Sequence, residues 1–284
     1  MVNKITRKSM LIRPSGRSTD FISPSFGYGC LYNCSYCYMK RHKDKGLDVA
    51  TNTGDILTAI NNHAFFTPVD KPNQTHAEYT TYDISCNEDF ALHAKHHEWE
   101  KIFEFFRDHP IAMGSFATKY VNPKLTTFDP QGKIRIRFSL MPQHKSDLHE
   151  PSTSKIINRI KAIDAFIDAG YDVHVNFSPI IVYDGWLEDY KYLFHMMNDY
   201  IKYKDQVLAE CIFLTHNFKK HTVNLKRHPR TEIDLWVANR QESKISQYGG
   251  ENVRYKLNMK AEYIKQFKII HNKYIPWNII RYIF

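Results

Sequence analysis

The sequence has no long apolar run, and this shortage limits what the protein can be. Its 284 residues are 43% hydrophobic, which is enough for a substantial core. No stretch of about eighteen apolar residues occurs, so a membrane-spanning helix is not expected. Residues 1–21 are basic and polar and contain Pro14 and Gly16, so they do not predict a signal peptide. We therefore expect a cytoplasmic protein without a membrane partner.

Cysteine is also scarce, with five residues in the whole chain. Cys30, Cys34 and Cys37 lie too close together to staple a fold by pairing with one another, and the count is odd. Thiols that bind metal or take part in chemistry in a reducing compartment are the better interpretation.

Acidic residues are outnumbered, with 30 Asp and Glu against 39 Lys and Arg and a net charge of +9. Such a balance favours a polyanionic partner such as nucleic acid through long-range attraction. Many basic proteins bind no nucleic acid, so the charge alone leaves both interpretations open.

Short strand-like runs alternate with longer helical segments, without a fixed-period repeat. Residues 134–138 alternate as in a strand, whereas the isoleucines of 156–167 recur at helical spacing. About six such alternations predict an α/β fold whose parallel sheet forms an incomplete (β/α)6 barrel, with its chemistry at the C-terminal strand ends. The predicted strands are Phe21–Phe26, 78–85, 113–120, 133–141, 171–182 and 207–215, and the predicted helices are Gly54–Phe65, Glu98–Arg107, Ser154–Ala169 and Leu187–Tyr203.

This rhythm stops after residue 216 and divides the chain into three predicted parts. Residues 1–20 read as a polar lead-in, 21–216 as the partial barrel and 217–284 as a C-terminal extension. A Gly-Gly pair between two strand-like runs predicts a β-hairpin at about 243–257. A helix over Lys260–Asn272 follows, and the aromatic and aliphatic tail after it suggests core packing.

The cysteine loop, GCLYNCSYCY, carries the strongest chemical signal. Cys30, Cys34 and Cys37 have the spacing CxxxCxxC directly after a predicted strand. Three thiolates from one loop can bind three corners of a [4Fe-4S] cluster and leave the fourth iron without a protein ligand. That iron can chelate S-adenosylmethionine and deliver the electron that cleaves it to a 5'-deoxyadenosyl radical.

Two simpler interpretations of the cysteine loop remain open. A structural zinc site usually shows a second CxxC or a His pair at matching spacing, and here only His42 is near. Inert buried cysteines would follow the period of a strand or a helix, which spacings of four and three in a loop do not require. The cluster is the favoured interpretation.

The sequence resembles the spore photoproduct lyase family of the radical S-adenosylmethionine superfamily from about Phe21 to Leu257. The matching blocks are FGYGCLYNCSYCY, YDISCNEDF, FATKY, IRFSLM, AGYDVHVNFSPIIVYDGWLEDYKYLF, FLTHNF and QYGGENVRYK. The resemblance implies a partial barrel of the radical S-adenosylmethionine type. It also implies a lyase that abstracts a hydrogen from a thymine dimer in DNA and restores two thymines.

The resemblance assigns hydrogen-transfer roles to three residues. Cys86 matches the hydrogen-donating cysteine, and a thiol suits that role because its weak S–H bond can quench a carbon radical. Tyr36 and Tyr38 match the tyrosines that return the hydrogen to the adenosyl group. The alternatives are a small buried hydrophobe for Cys86 and shielding of the cluster for the tyrosines.

Three further positions match cofactor contacts of the family. Lys119 and Ser139 match positions that hold the carboxylate and the ribose of S-adenosylmethionine, and Asn87 lies where a polar group meets its amino group. These pairings are chemically sound. Cys211 lies within an apolar strand and is expected to belong to the core.

A dimer inside duplex DNA must be extruded before a barrel can act on it. The predicted hairpin matches the DNA-inserting hairpin of the family, which implies stacking, close approach and phosphate contacts by Tyr248, Gly249, Gly250, Arg254 and Lys256. A basic surface is expected to extend these contacts through Lys219, Lys220, Lys226, Arg227 and Arg230. Damaged duplex DNA and an electron donor such as flavodoxin or ferredoxin are the implied partners.

The substrate has alternatives. Glu88 and Asp89 follow Cys86 where the family has a less charged segment, and such a pair would repel phosphates. The same radical chemistry on a modified RNA or a metabolite is therefore a second hypothesis. A non-catalytic nucleic-acid-binding protein that contains iron–sulfur or zinc is a third.

Overall fold

The structure is a computed structural model that describes residues 1–43, 45–66, 70–245 and 249–284. No helix in these ranges is long and apolar enough to cross a membrane. The strands are β1 (Val2–Ile5), β2 (Arg13–Pro14), β3 (Phe21–Ile22), β4 (Gly27–Gly29), β5 (Leu47–Ala50), β6 (Thr80–Asp83), β7 (Ala112–Thr118), β8 (Ile134–Ser139), β9 (Asp172–Ile180), β10 (Leu208–Phe213), β11 (Thr215–Asn217), β12 (Gln241–Ile245), β13 (Glu251–Tyr255) and β14 (Ile280–Ile283). The α-helices are α1 (Thr53–Phe66), α2 (Phe90–His93), α3 (Trp99–Asp108), α4 (Gln143–His149), α5 (Ile156–Asp168), α6 (Trp186–Tyr200), α7 (Phe218–Arg227), α8 (Pro229–Leu235) and α9 (Leu257–Tyr274).

The main sheet has eight strands in the order β14-β10-β9-β8-β7-β6-β3-β2. Strands β3, β6, β7, β8, β9 and β10 are parallel neighbours, and each corresponds to one of the six predicted strands. The connecting helices α1, α3, α5 and α6 also lie where the sequence predicts them. The predicted α/β fold with an incomplete barrel is therefore confirmed.

The two ends of this curled sheet approach each other. The hydroxyl groups of Ser18 and Tyr282 lie 2.6 Å apart, although the first precedes β3 and the second belongs to β14. Arg281 adds hydrogen bonds to the carbonyl oxygens of Arg17 and Ser18 at 3.4 and 3.5 Å. Side chains thus connect the two ends of the sheet.

Both termini take part in the sheets, which differs from the expectation of a lead-in and a packed tail. In residues 1–20, β1 pairs with β5 in parallel and β2 pairs with β3 in antiparallel orientation. At the other end, β14 extends the barrel sheet beside β10, and Phe284 N donates to Cys211 O at 2.8 Å. A tail rich in isoleucine and tyrosine suits a β-strand as well as a core. The three-part division of the chain stays a prediction.

Helix α3 illustrates how the outer side of the sheet is covered. Trp99, Ile102, Phe103 and Phe106 are buried at helical spacing, as the sequence predicts. The Phe103 ring stacks on Phe116 of β7 with 6.1 Å between centroids. This packing buries the apolar face of the helix on the sheet and holds β7 in place.

The inner side of the barrel contains a buried layer of paired charges. Arg137 on β8 donates to Asp83 on β6 at 2.9 Å and lies 3.5 Å from Glu210 on β10. Glu210 also accepts a hydrogen bond from Arg281 at 2.8 Å. Two cations and two anions balance, which compensates the cost of removing them from water.

The C-terminal extension contains the predicted hairpin and helix. Strands β12 and β13 pair in antiparallel orientation, from Gln241 opposite Tyr255 to Ile245 opposite Glu251. Strand β11 pairs with the other side of β13 and joins the hairpin to the end of β10. Helix α9 begins at Leu257, directly after the hairpin, and is longer than predicted.

Replacement of Glu210 by alanine tests the buried charge layer. Glu210→Ala leaves Arg281 and part of Arg137 without a counter-charge, so we expect a loss of about 3–5 kcal/mol in the free energy of unfolding. Glu188→Ala is the matched control, because that side chain is 74% exposed and its pair with Lys191 is a surface pair. We expect the control to change stability by no more than about 0.5 kcal/mol. Equal denaturation midpoints for the two variants in urea would contradict this interpretation.

Candidate functional site

A cavity of about 550 Å³ opens at the C-terminal ends of the barrel strands. The cysteine loop, the ends of β6 to β10 and the start of the C-terminal extension form its wall. This is the end of a parallel barrel where chemistry is expected. The predicted site residues that line it are Cys30, Cys34, Cys37, Tyr36, Tyr38, Cys86 and Lys119.

The cysteine loop follows the short strand β4. Gly29 adopts a φ of 105°, which favours glycine, and its N–H donates to the Asn87 carbonyl at 3.0 Å. Within the loop, Cys37 N donates to Cys34 O at 3.1 Å. Among the described residues, no three His, Cys, Asp or Glu side chains are grouped closely enough to hold a single metal ion. A [4Fe-4S] cluster spreads its cysteine ligands over different irons.

The environment of Cys34 fits an iron–sulfur ligand. Burial raises the pKa of its thiol, and the nearby positive charge of Lys119 opposes this effect. A bound metal centre deprotonates a coordinating thiol, which removes the obstacle that burial creates. The three cysteines on one cavity wall are therefore suited to hold a cluster.

Cys86 and Tyr38 are brought into contact, although 48 residues separate them in sequence. Cys86 lies just beyond the end of β6, and the Tyr38 hydroxyl donates to its carbonyl oxygen and lies 3.5 Å from its sulfur. Burial raises the pKa of the Cys86 thiol, and the negative charge of Asp83 raises it further. Cys86 therefore retains its S–H bond, which a hydrogen donor requires.

Tyr36 points elsewhere. Its hydroxyl donates to Oε1 of Glu150, and no hydrogen bond joins it to Cys86 in the described part of the chain. Burial and then the charge of Glu150 raise its pKa. The two tyrosines that flank Cys37 thus have different partners, and only Tyr38 contacts the predicted donor.

Glu150 is a site residue that the sequence did not reveal. Its carboxylate is fully buried and accepts hydrogen bonds from Arg159 at 2.9 Å and Ser146 at 3.0 Å, in addition to Tyr36. Lys119 Nζ lies 3.9 Å from the same carboxylate and 5.9 Å from the centre of the Tyr36 ring. Burial lowers the pKa of Lys119, but Glu150, Cys34 and Asp89 together outweigh this effect and the net shift is upward. The ammonium group therefore remains positive at the cavity wall.

Ser139 and Asn87 support the site but are not among the residues that line the cavity. Ser139 is buried on β8, and its carbonyl accepts a hydrogen bond from Arg159 at 2.8 Å. Asn87 donates its side-chain amide to Ser25. Their predicted contacts with S-adenosylmethionine stay predictions.

The acidic pair after Cys86 has an internal role. Glu88 accepts hydrogen bonds from His93 and His97, both at 2.9 Å, and is almost completely buried. A Cβ on Gly27 would come within 2.3 Å of its carboxylate, so a larger residue there would force the Glu88 side chain to shift. The expected effect of Glu88 on the substrate stays a prediction, because Glu88 lines the cavity even though two histidines engage its carboxylate.

Asp89 is likewise engaged within the protein. Its carboxylate caps α2 through Leu92 N and accepts Thr118 Oγ1 at 2.6 Å. It also accepts the backbone N–H of Lys119 at 2.8 Å. The carboxylate therefore positions Lys119 and the end of β7, and it also lines the cavity.

The C-terminal extension forms one wall of the cavity. Asn217 of β11 and Asn252 of the hairpin line it, beside Thr215 and His216 at the end of the barrel part. His216 is buried with its Nε2 3.2 Å from Glu232 on α8. No motif in the sequence marks His216 as a site residue. Its place at the end of the last barrel strand could have indicated it.

The predicted nucleic-acid contacts of the hairpin are only partly accessible. Arg254 is paired with Glu242 across the hairpin at 2.8 Å, so it is less available for a phosphate than predicted. Gly249 is exposed with a φ of 74°, and Gly250 and Lys256 are half-buried. Tyr248 lies outside the described residues.

Helix α7 and the start of α8 present the predicted basic surface. The predicted cations lie there: Lys219, Lys226, Arg227 and Arg230 are exposed, and Lys220 is half-buried. Among the described residues, none of these five side chains forms an ion pair with a carboxylate.

Comparison with known proteins confirms the resemblance. The family model described as spore photoproduct lyase matches residues 3–284. Spore photoproduct lyase of Bacillus subtilis is 27% identical over 237 residues, which cover 81% of this chain and 66% of that protein. Spore photoproduct lyase of Clostridium acetobutylicum is 26% identical over 291 residues, which cover 97% of this chain and 83% of that protein.

A solved structure extends this likeness to the fold. A spore photoproduct lyase mutant with bound AdoMet and dinucleoside spore photoproduct superposes with a TM-score of 0.88 at 21% identity. The match covers 100% of this chain and 82% of that one. Taken with the family match over almost the whole sequence, these findings mean that the chain belongs to the spore photoproduct lyase family.

Proposed function

We propose that the protein is a radical S-adenosylmethionine lyase that converts the spore photoproduct in DNA back to two thymines. One observation carries the proposal, namely that three cluster-type cysteines, Cys86 and Lys119 converge on a single cavity. Membership of the family supports the choice of substrate, because its characterised relatives are named for this lesion.

In this proposal Cys30, Cys34 and Cys37 hold three irons of a [4Fe-4S] cluster at the cavity wall. When bound, the cluster and S-adenosylmethionine supply a 5'-deoxyadenosyl radical. Lys119 binds the carboxylate of S-adenosylmethionine, since its ammonium is positive, faces the cavity and is only loosely paired with Glu150. Ser139 and Asn87 complete the binding site if ligand binding draws them to the cavity.

Cys86 donates the hydrogen that ends the repair. Homolysis of its S–H bond gives a hydrogen atom to the carbon radical of the opened lesion and leaves a thiyl radical on Cys86. Tyr38 then passes its phenolic hydrogen atom to sulfur, over the 3.5 Å between the two atoms. Tyr38, left as a tyrosyl radical, would recover its hydrogen atom from the 5'-deoxyadenosine that bound S-adenosylmethionine supplies. Tyr36 is a weaker candidate for this relay because Glu150 holds its hydroxyl.

DNA approaches from the side of the C-terminal extension. The hairpin joins the cavity through Asn252, and the exposed cations of α7, which precedes the hairpin in the chain, belong to the same extension. Lesion extrusion exposes the dimer to the cavity, while phosphate contacts position the duplex. A flavodoxin or ferredoxin supplies the electron.

The second hypothesis, a modified RNA or a metabolite as substrate, retains part of its support, because Glu88 and Asp89 line the cavity. The acidic pair was its motivation, and both carboxylates have protein partners. The third hypothesis, a non-catalytic metal-containing binding protein, does not explain why Cys86 and Lys119 face the same cavity as the cysteine loop.

Turnover of a defined lesion tests the proposed function. Protein reconstituted with iron and sulfide is incubated with dinucleotide spore photoproduct, S-adenosylmethionine and dithionite. We expect thymidylyl-thymidine, with deuterium from a labelled lesion methylene entering 5'-deoxyadenosine. Formation of 5'-deoxyadenosine without thymidylyl-thymidine would overturn the substrate assignment, and absence of both would support a non-catalytic protein.

Replacement of Cys86 tests the hydrogen donor. Cys86→Ala removes the S–H bond, so we expect thymidylyl-thymidine formation to fall at least about tenfold while 5'-deoxyadenosine still forms. Cys211→Ala is the matched control, since Cys211 is a buried thiol of β10 that does not line the cavity. Product yields measured by liquid chromatography provide the comparison. Equal losses in the two variants would show that Cys86 has no special role.

Replacement of Lys119 tests the carboxylate site. Lys119→Ala removes a charged hydrogen-bond donor, so we expect the dissociation constant for S-adenosylmethionine to rise about tenfold or more in the cluster-loaded protein. Lys124→Ala, an exposed lysine on the loop after β7, is the control and should leave binding unchanged. Equilibrium binding of labelled S-adenosylmethionine measures both. An unchanged dissociation constant for Lys119→Ala would contradict the assignment.

A further inference from the structure

Ser35, which lies between the second and third cysteines of the loop, is bonded to distant parts of the chain through all of its polar groups. Its N–H donates to the His149 carbonyl at 2.9 Å, and its hydroxyl lies 2.8 Å from His149 Nδ1. Its carbonyl accepts a hydrogen bond from Asn224 Nδ2 at 3.1 Å. His149 and Asn224 are 114 and 189 residues away in sequence. The loop is thus fixed from outside itself.

The ring of His149 is in turn fixed by Asp234 of α8. The two groups approach to 2.7 Å between Nε2 and Oδ2, and Lys145 Nζ lies 2.7 Å from both oxygens of the same carboxylate. The hydrogen bond from His149, together with Lys145, lowers the pKa of Asp234 to about 2 against the effect of burial. An ionised carboxylate only accepts, so Nε2 carries the hydrogen and Nδ1 accepts the Ser35 hydroxyl in the neutral ring.

Glu150, the residue after His149, makes the same kind of contact with Tyr36, the residue after Ser35. Glu150 accepts the hydroxyl of Tyr36, as His149 accepts that of Ser35. Two adjacent residues at the end of α4 therefore hold two adjacent residues of the cysteine loop. Ser35 and His149 do not line the cavity, and His149 is completely buried, so this Ser–His–Asp arrangement lacks the access to substrate that a nucleophile needs.

We infer that His149 and Asp234 are positioning residues for the iron–sulfur cluster, which they reach through Ser35. The inference rests on the proposed function for the presence of the cluster. Hydrogen-bonded partners behind metal ligands orient those ligands and affect how firmly the metal is held. Because Asp234 and Asn224 belong to the C-terminal extension, the extension that carries the proposed DNA surface also holds the cysteine loop.

Two conservative substitutions test this inference without lesion DNA. Ser35→Ala removes the hydroxyl bonded to His149, and Asp234→Asn replaces the carboxylate with a group of the same shape. Ser9→Ala and Asp205→Asn are the matched controls at exposed positions. We measure the rate of iron release to a chelator, the electron paramagnetic resonance spectrum of the reduced cluster with S-adenosylmethionine, and the thermal midpoint.

We expect iron release to accelerate about tenfold in Ser35→Ala and Asp234→Asn and the cluster spectrum to change, with both controls like the unmodified protein. Ser35→Thr keeps the hydroxyl and should restore slow iron release. Iron release and spectra that match the unmodified protein in both variants would overturn the inference, as would the same acceleration in the controls. An unmodified protein that holds a cluster but repairs no lesion contradicts the proposed substrate alone, whereas one that takes up no cluster contradicts the proposed function and this inference together.

Discussion

A carboxylate that is removed from water must be compensated by the protein, and at Glu150 the compensating groups belong to the site itself. Its partners come from the cysteine loop, the end of β7 and helix α5, through Tyr36, Lys119 and Arg159. Lys119 and Arg159 carry two positive charges against the single negative charge of Glu150, so this group of three side chains keeps a net positive charge. Removal of this carboxylate would leave Arg159 buried without a counter-charge and would release Tyr36.

The barrel determines where these groups can meet. Side chains at the ends of adjacent parallel strands share one edge of the sheet, so Cys86 after β6 and Lys119 after β7 become neighbours of the same cavity. Beneath them, Arg137 and Arg281 pair with Asp83 and Glu210 and fill the interior with balanced charge. These paired charges make the base of the cavity polar.

The sequence allowed the fold and the reactive thiols to be predicted, but not the residues that hold them. The six parallel strands followed from apolar periodicity, and Cys30, Cys34 and Cys37 from their spacing, whereas Cys86 and Lys119 depended on family resemblance. Glu150, His149 and Asp234 were missed because the contacts of Glu150 with Tyr36 and of His149 with Asp234 span 114 and 85 residues, and no local pattern marks them. The histidine partners of Glu88 were not predicted either, since a charge in a sequence does not reveal whether histidines will surround it.

The bonds to Ser35 also constrain the order in which the protein can be completed. Asn224 follows Ser35 by 189 residues, so at about 5–20 residues per second a ribosome exposes the cysteines roughly 10–40 s before that partner exists. His149 is absent for most of this interval, and Asn224 is absent for all of it. The entropy of closing so long a segment has also yet to be overcome. The three thiols are therefore least enclosed early in the life of the chain, before the tertiary contacts that fix the loop have formed.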